Sequence, residues 1–135
     1  MPAFENEVEK MTANAPEDLD RLFGEGINAG NVEAALALYE PNAVLVRQDG
    51  THAIGLDQIR AQLNDLVTAS AQLHLNGVKA VKLGDDLALC HSDWSASMAG
   101  PDGKRMEMPI KATEVGRRQP GGNWLFAIDD PFSGG

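Results

Sequence analysis

The 135 residues contain a single cysteine, Cys90, so no disulfide can form within the chain. It sits in an apolar, strand-like run, where a buried, unreactive thiol is the usual case, and in an extended chain His91 points to the opposite face. Basic residues are also scarce: 11 Lys and Arg stand against 20 Asp and Glu, a formal charge of −9. That balance repels nucleic acid and anionic lipid, and the adjacent pair Arg117–Arg118 reads as a solvated turn. His52, His74 and His91 are far apart and lack metal-ligand spacing, so no metal site is expected. No apolar run approaches the ~20 residues that span a bilayer. The acidic start, Met1 to Glu7, has no basic segment leading into an apolar one. A soluble, cytoplasmic protein without a cofactor is the expectation. Two apparent motifs also fail. Gly24–Gly30 has dinucleotide-loop glycines at the wrong spacing and follows no strand, and Ser92 has no flanking nucleophile-elbow glycines.

What is present suits one globular domain. A hydrophobic fraction of 43%, with two Trp and four Phe, supplies a core for a chain of this length. Residues 1–15 are polar and read as a flexible lead-in, residues 16–132 as the domain, and 133–135 as a tail. Pro16 suits a first helical turn, and Glu17, Asp18 and Asp20 complement the helix dipole. Leu19, Leu22, Phe23 and Ile27 follow at helical spacing, and Gly30 ends the segment. Asn31 can cap a second helix with Val32, Ala35, Leu36 and Tyr39 on its apolar face, stopped by Pro41. Ala43–Arg47 and Thr51–Ile54 read as a hairpin around Asp49-Gly50. Leu56, Ile59, Leu63, Leu66 and Val67 mark a third helix opened by Gly55. Four long strands follow, at 72–83, 86–98, 104–118 and 123–130, joined by Gly, Pro and Asp turns. Helices followed by a run of antiparallel strands make an α+β fold with the helices on one face of the sheet.

The order of elements, with Ile27–Asn31, Ala34–Tyr39, Pro41–Val44, Ile54–Ile59 and Trp124–Phe132, resembles the nuclear transport factor 2-like (SnoaL-like) superfamily, related in fold to ketosteroid isomerase. The resemblance implies a cystatin-like cone: three N-terminal helices packed on a curved antiparallel sheet, with a pocket inside.

Alternation along the strands sorts the side chains into two sets. One holds Ala88, Cys90, Ser92, Trp94, Met106, Met108, Ile110, Ala112, Trp124, Phe126 and Ile128. The other holds Leu87, Leu89, His91, Asp93, Glu107, Pro109, Lys111, Thr113, Leu125, Ala127, Asp129 and Pro131. Pattern alone buries the first set against the helices. The resemblance implies the opposite register, with the second set in the pocket. It also implies a homodimer through an outer sheet face carrying Trp94, Met106, Met108, Ile110, Trp124 and Phe126.

Under that register, Asp129, His91 and Asp93 are the candidate acid–base residues, and Lys111 with Arg47 could hold a carboxylate or an enolate oxygen. Phe23, Leu63 and Leu89 would complete the binding surface for a small apolar or carboxylate-bearing molecule. The positions that carry the base, Tyr and Asp of ketosteroid isomerase hold Arg47, Phe23 and Lys111 here, so steroid isomerisation is not expected. A cofactor-free isomerase, cyclase or lyase remains open. So does a non-catalytic ligand-binding or dimerisation module on the same fold, in which the charged residues form structural ion pairs.

Overall fold

The computed structural model describes residues 12–134. Three helices lie among them: α1 (Glu17–Asn28), α2 (Val32–Leu36) and α3 (Leu56–Thr68). Six strands form one sheet: β1 (Tyr39–Val46), β2 (His52–Ile54), β3 (Gln72–Leu83), β4 (Leu87–Ala99), β5 (Arg105–Arg118) and β6 (Trp124–Asp130). Their spatial order is β2-β1-β6-β5-β4-β3.

The sheet is mixed, which corrects the expectation of an antiparallel one. β3 to β6 form an antiparallel meander, whereas β1 joins the free edge of β6 in parallel. A strand that reaches its neighbour through a long intervening excursion, not a tight turn, is free to lie parallel to it. Tyr39 also moves from its expected place on α2 into β1. Helix α2 ends at Leu36, and Pro41 favours extended backbone in the residue before it.

The expected starts and stops otherwise have clear local causes. Asn31 accepts the Ala34 N–H at 3.1 Å as the cap of α2. Asn28, at the end of α1, exchanges two 2.7 Å hydrogen bonds with the backbone of Leu73, which pins that helix to β3. Most of the proposed lead-in lies outside the described residues, but Ala13 is buried and its carbonyl accepts the Trp124 N–H. At the other end, Gly134 N–H donates to Lys111 O, so the tail continues along β5 past the end of β6.

The decisive feature is which sheet face meets the helices. Ala88, Cys90, Ser92, Trp94 and Ala96 of β4 are buried, as are Ala112 and Glu114 of β5 and Trp124 and Phe126 of β6. The pattern-based register therefore holds, and the reversed one is corrected for β4 and β5. Burying His91, Asp93 and Lys111 would remove three ionisable groups from water, while Trp94 stayed exposed. Trp94, Trp124 and Phe126 consequently leave the proposed outer face. Met108 and Ile110 also turn inward, and Met106 alone of that group is well exposed.

Register shifts interrupt three strand pairs, β1–β6, β3–β4 and β5–β6, and the last two are single-residue bulges. In β3, Leu75 faces Trp94 and Gly77 faces Asp93, leaving Asn76 as the extra residue. In β6, Phe126 faces Gly116 and Ile128 faces Val115, leaving Ala127 as the extra residue. The second bulge changes the parity of β6, so Phe126 and Asp129 both point inward while Ile128 points out.

Candidate functional site

Inside the curve of the sheet lies a cavity of about 290 Å³. Leu63 and Leu66 of α3, Phe23 of α1, and Trp94, Met98, Met108, Ile110 and Phe126 of the sheet supply most of its wall. Gln48, Gln62, Asp65 and Phe132 also line it, and the exposure of Gln48, Asp65 and Phe132 marks its open end. At the closed end are three carboxyl groups, Asp20, Glu114 and Asp129, which are 3%, 1% and 7% exposed.

Each acid has a definite origin. Asp20 follows Leu19 on the buried side of α1. Glu114 extends the inward alternation Met108, Ile110, Ala112 of β5 by one more step. Asp129 faces Glu114 across the β5–β6 ladder because the Ala127 bulge has turned it inward. All three arrive from different elements on one buried spot.

Hydrogen bonds tie two of them to neighbouring side chains. Tyr39 donates its hydroxyl proton to Asp129 Oδ2 at 2.6 Å. Trp94 Nε1 donates to Ser92 Oγ at 2.9 Å, and Ser92 Oγ in turn donates to Glu114 Oε2 at 2.9 Å. Indole is a donor only, so the serine hydroxyl must accept there and spend its own proton on Oε2. Among the described residues two buried carboxyl oxygens have no hydrogen-bond partner, Asp20 Oδ2 and Glu114 Oε1. Asp20 and Glu114 lie close enough together for each to shift the other's titration. Charging two adjacent buried carboxyl groups together is costly, so the pair holds on to an acid proton.

The electrostatics agree. Burial pushes the Glu114 carboxyl well above the usual carboxylate range, reinforced by repulsion from Asp20, and Asp20 is raised as well. Burial also raises Asp129 to about 7, against the lowering effect of the Tyr39 hydrogen bond and with added repulsion from Asp20 and Asp130. The site thus pairs a proton-holding dyad with an acid that titrates near neutrality. Cys90 lies outside this chemistry, because burial and the nearby acids push its thiol up to about 12.

The residues expected to form the site are divided by the structure. Asp129 is at the closed end of the cavity, and Phe23 and Leu63 line it. His91, Asp93, Leu89 and Lys111 are exposed on the opposite face of the sheet, with Asp93 and Lys111 neighbours across the β4–β5 ladder. Arg47 is engaged at the β1–β2 hairpin, where Nη1 donates to Thr51 Oγ1 at 3.2 Å and to His52 O at 3.0 Å. Neither cation reaches the cavity wall, where no Lys, Arg or His lies among the described residues. Among the described residues no group of three or more His, Cys, Asp or Glu is arranged to hold a metal ion. No helix among them is long and apolar enough to cross a membrane.

Sequence reasoning missed Asp20, Tyr39, Ser92 and Glu114. A signal existed for Glu114, a single acid continuing an otherwise apolar strand face. Asp20 shares the helical spacing of Phe23, Gly24 and Ile27, but its place in the first turn made it look like a charge complementing the dipole.

A family model, the SnoaL-like domain, matches residues 19–124. No curated protein matches the chain. Several solved structures share its fold. A protein with a cystatin-like fold from Caulobacter vibrioides is 19% identical, with a TM-score of 0.74 over 85% of this chain and 84% of that one. A ketosteroid isomerase-like protein from Erwinia carotovora atroseptica is 16% identical, with a TM-score of 0.73 over 84% of this chain and 89% of that one. The epoxide hydrolase/cyclase-like enzyme SalBIII, of pyran ring formation in the polyether salinomycin, is 20% identical, with a TM-score of 0.68 over 85% of this chain and 87% of that one. The architecture is thus the cystatin-like, NTF2-like fold, and with the family model spanning most of its length this chain belongs to the SnoaL-like domain family.

Proposed function

We propose that the chain is a small-molecule enzyme that performs cofactor-independent acid–base chemistry in the cavity, as an isomerase, cyclase or lyase. The observation that carries this reading is the set of three buried carboxyl groups closing an otherwise apolar cavity. Asp129 is the exchanging group. Tyr39 occupies Oδ2, which leaves Oδ1 without a donor among the described residues and able to take a proton from a substrate C–H, N–H or O–H. The proton held by the Asp20 and Glu114 pair goes to the substrate oxygen on which charge develops, so the site ends the step with no net change in protons. The apolar wall excludes water, which strengthens these electrostatic effects. Likeness to an epoxide hydrolase/cyclase-like enzyme is compatible with this reading at the level of fold.

The test is native mass spectrometry of gently purified protein, followed by release of any co-purified molecule and its incubation with fresh enzyme. Wild-type protein should convert it, as read by chromatography, and Asp129→Asn should bind it but convert it at least ~100-fold more slowly. A molecule that both proteins bind and neither changes would make the chain a binding module.

A second reading concerns assembly, and the outer face of the sheet favours it. One apolar residue from each strand lines up in register across that face, in the order Ile54, Val44, Ile128, Val115, Leu89, Val81. Ile54, Ile128, Leu89 and Val81 are 57%, 44%, 42% and 65% exposed. Beside this row run Lys79, His91, Thr113 and Asp130, with a cation at one end and an anion at the other. A two-fold axis along the strands would reverse one row against the other and bring Lys79 to Asp130 of the second copy. We infer a homodimer through this face, built from these residues in place of the aromatic set that the structure buries.

A further inference from the structure

We propose that the closed end of the cavity is a seat for an ammonium group carried on an apolar body, with Asp129 as its counter-ion and Phe23, Trp94 and Phe126 as its aromatic wall. The inference rests on the reading of the cavity as a small-molecule site and names the ligand's chemical class.

Three independent features point to a cation. Among the described residues the cavity lining contains acids but no Lys, Arg or His, so an anionic ligand would meet uncompensated negative charge. This displaces the carboxylate-bearing ligand expected when Lys111 and Arg47 were placed in the pocket. Next, Asp129 is more than nine-tenths buried and lines the cavity, yet among the described residues only its Oδ2 is taken by a protein donor. Its Oδ1 can accept a hydrogen bond from the ligand, and an N⁺–H donor is held there more strongly than a neutral hydroxyl, its proton being the one that Oδ1 exchanges. Finally, aromatic rings cluster on the wall: Phe23 lies 6.4 Å from Trp94 and 6.4 Å from Phe126, centroid to centroid. Ring faces attract ammonium groups, most strongly where water is excluded.

The charges around Asp129 act in the same direction. Asp20 on α1 and Asp130 on β6 repel its carboxylate, Glu114 faces it from β5, and Tyr39 on β1 donates to it. A bound cation relieves that repulsion and favours the ionised acid. Ammonium binding should therefore strengthen as pH rises through the value of about 7 at which Asp129 titrates.

Isothermal titration calorimetry of the full chain with three probes of similar shape tests this: 4-phenylbutylamine, 4-phenylbutan-1-ol and 4-phenylbutyrate. At about pH 8 the amine should bind at least about tenfold more tightly than the alcohol, and the acid more weakly than either. Lowering the pH to about 5.5 should weaken the amine about tenfold or more and leave the alcohol unchanged. Asp129→Asn preserves an acceptor for Tyr39 and should abolish the amine's advantage while keeping alcohol binding within about threefold. An alcohol that binds as tightly as the amine, or an advantage that survives Asp129→Asn, overturns the ammonium seat and leaves the small-molecule reading intact. Failure of all three probes to bind overturns both.

Discussion

The Tyr39 hydroxyl donates to Asp129 Oδ2 at 2.6 Å, joining two residues 90 positions apart. The contact exists because β1 lies parallel to β6, with Tyr39 opposite Phe126 and Leu45 opposite Asp129. A hydrogen bond to the charged form of an acid lowers its pKa, and here it opposes the larger effect of burial. Tyr39→Phe should therefore raise the Asp129 pKa by about one unit above its starting value. Carbon-13 NMR titration of the Asp129 carboxyl in both proteins measures the shift. The variant should also lose about 1–3 kcal/mol of stability, since the buried Oδ2 is left without its donor. An unchanged titration would mean that the hydrogen bond does not tune the acid.

Stability should fall as the solution becomes alkaline. Asp129, Glu114 and Asp20 all have folded-state pKa values above their unfolded ones, so the folded protein holds protons that the unfolded chain has released. The stabilising contribution of each is complete below the unfolded pKa, near 4, and is lost as pH rises toward the folded value. For Asp129 that window runs from about 4 to about 7 and is worth on the order of 4 kcal/mol across its span. The urea midpoint should be higher at about pH 5 than at about pH 8. Asp129→Asn should flatten the slope. Glu114→Gln should stabilise the protein at about pH 8, because an amide keeps an acceptor for Ser92 and offers a permanent donor to Asp20.

How these residues read in sequence explains what was legible. The helical stripe of Leu19, Leu22 and Ile27, the Asn31 cap, the Asp49-Gly50 turn and the alternation of β4 and β5 are local signals, and each corresponds to an element in the structure. Which face of the sheet is covered follows from packing among distant segments, yet alternation alone identified it correctly for β4 and β5. The carry-over from a distant family then inverted it, placing His91, Asp93 and Lys111 inside. Asp129 was named on that inverted register and faces inward for another cause, the extra residue Ala127. No local pattern announces a bulge of this kind. The Tyr39–Asp129 contact needs a parallel strand pair, which neither segment encodes alone.

Gly24 should separate stability from binding. A Cβ at this position would lie 3.0 Å from Trp94 Cζ3 and 3.3 Å from Cη2, so the indole of Trp94 packs directly on bare helix backbone. Alanine in place of a mid-helix glycine gains about 1 kcal/mol of helix propensity, which offsets the cost of crowding the ring. The other side of Trp94 borders the cavity, and that is where the ring can yield. Gly24→Ala should therefore stay within about 1 kcal/mol of wild type in urea unfolding while binding the phenylbutyl probes about tenfold more weakly. Moving the indole also strains its 2.9 Å hydrogen bond to Ser92, which orients Glu114. Binding equal to wild type would show that Trp94 does not need the space that Gly24 leaves.

The two sheet faces should respond oppositely to mutation, which tests the register itself. Leu89 and Val115 are neighbours in the outer apolar row on β4 and β5, the two strands midway between Lys79 and Asp130, and the other faces of these strands carry Cys90 and Glu114 toward the core. Leu89→Asp places a charge at the middle of the inferred two-fold contact, where the same change in the second copy lies close by. It should convert a dimer to a monomer in sedimentation equilibrium and leave probe binding within about twofold of wild type, since the cavity lies on the far side of the sheet. His91→Ala and Lys111→Ala should likewise leave binding unchanged, whereas Met108→Glu, which alters the cavity wall, should impair binding and spare the dimer. A dimer indifferent to Leu89→Asp would remove the outer row as the interface. Loss of binding in His91→Ala would contradict the register directly, because no rotation of that side chain carries it through the sheet to Asp129.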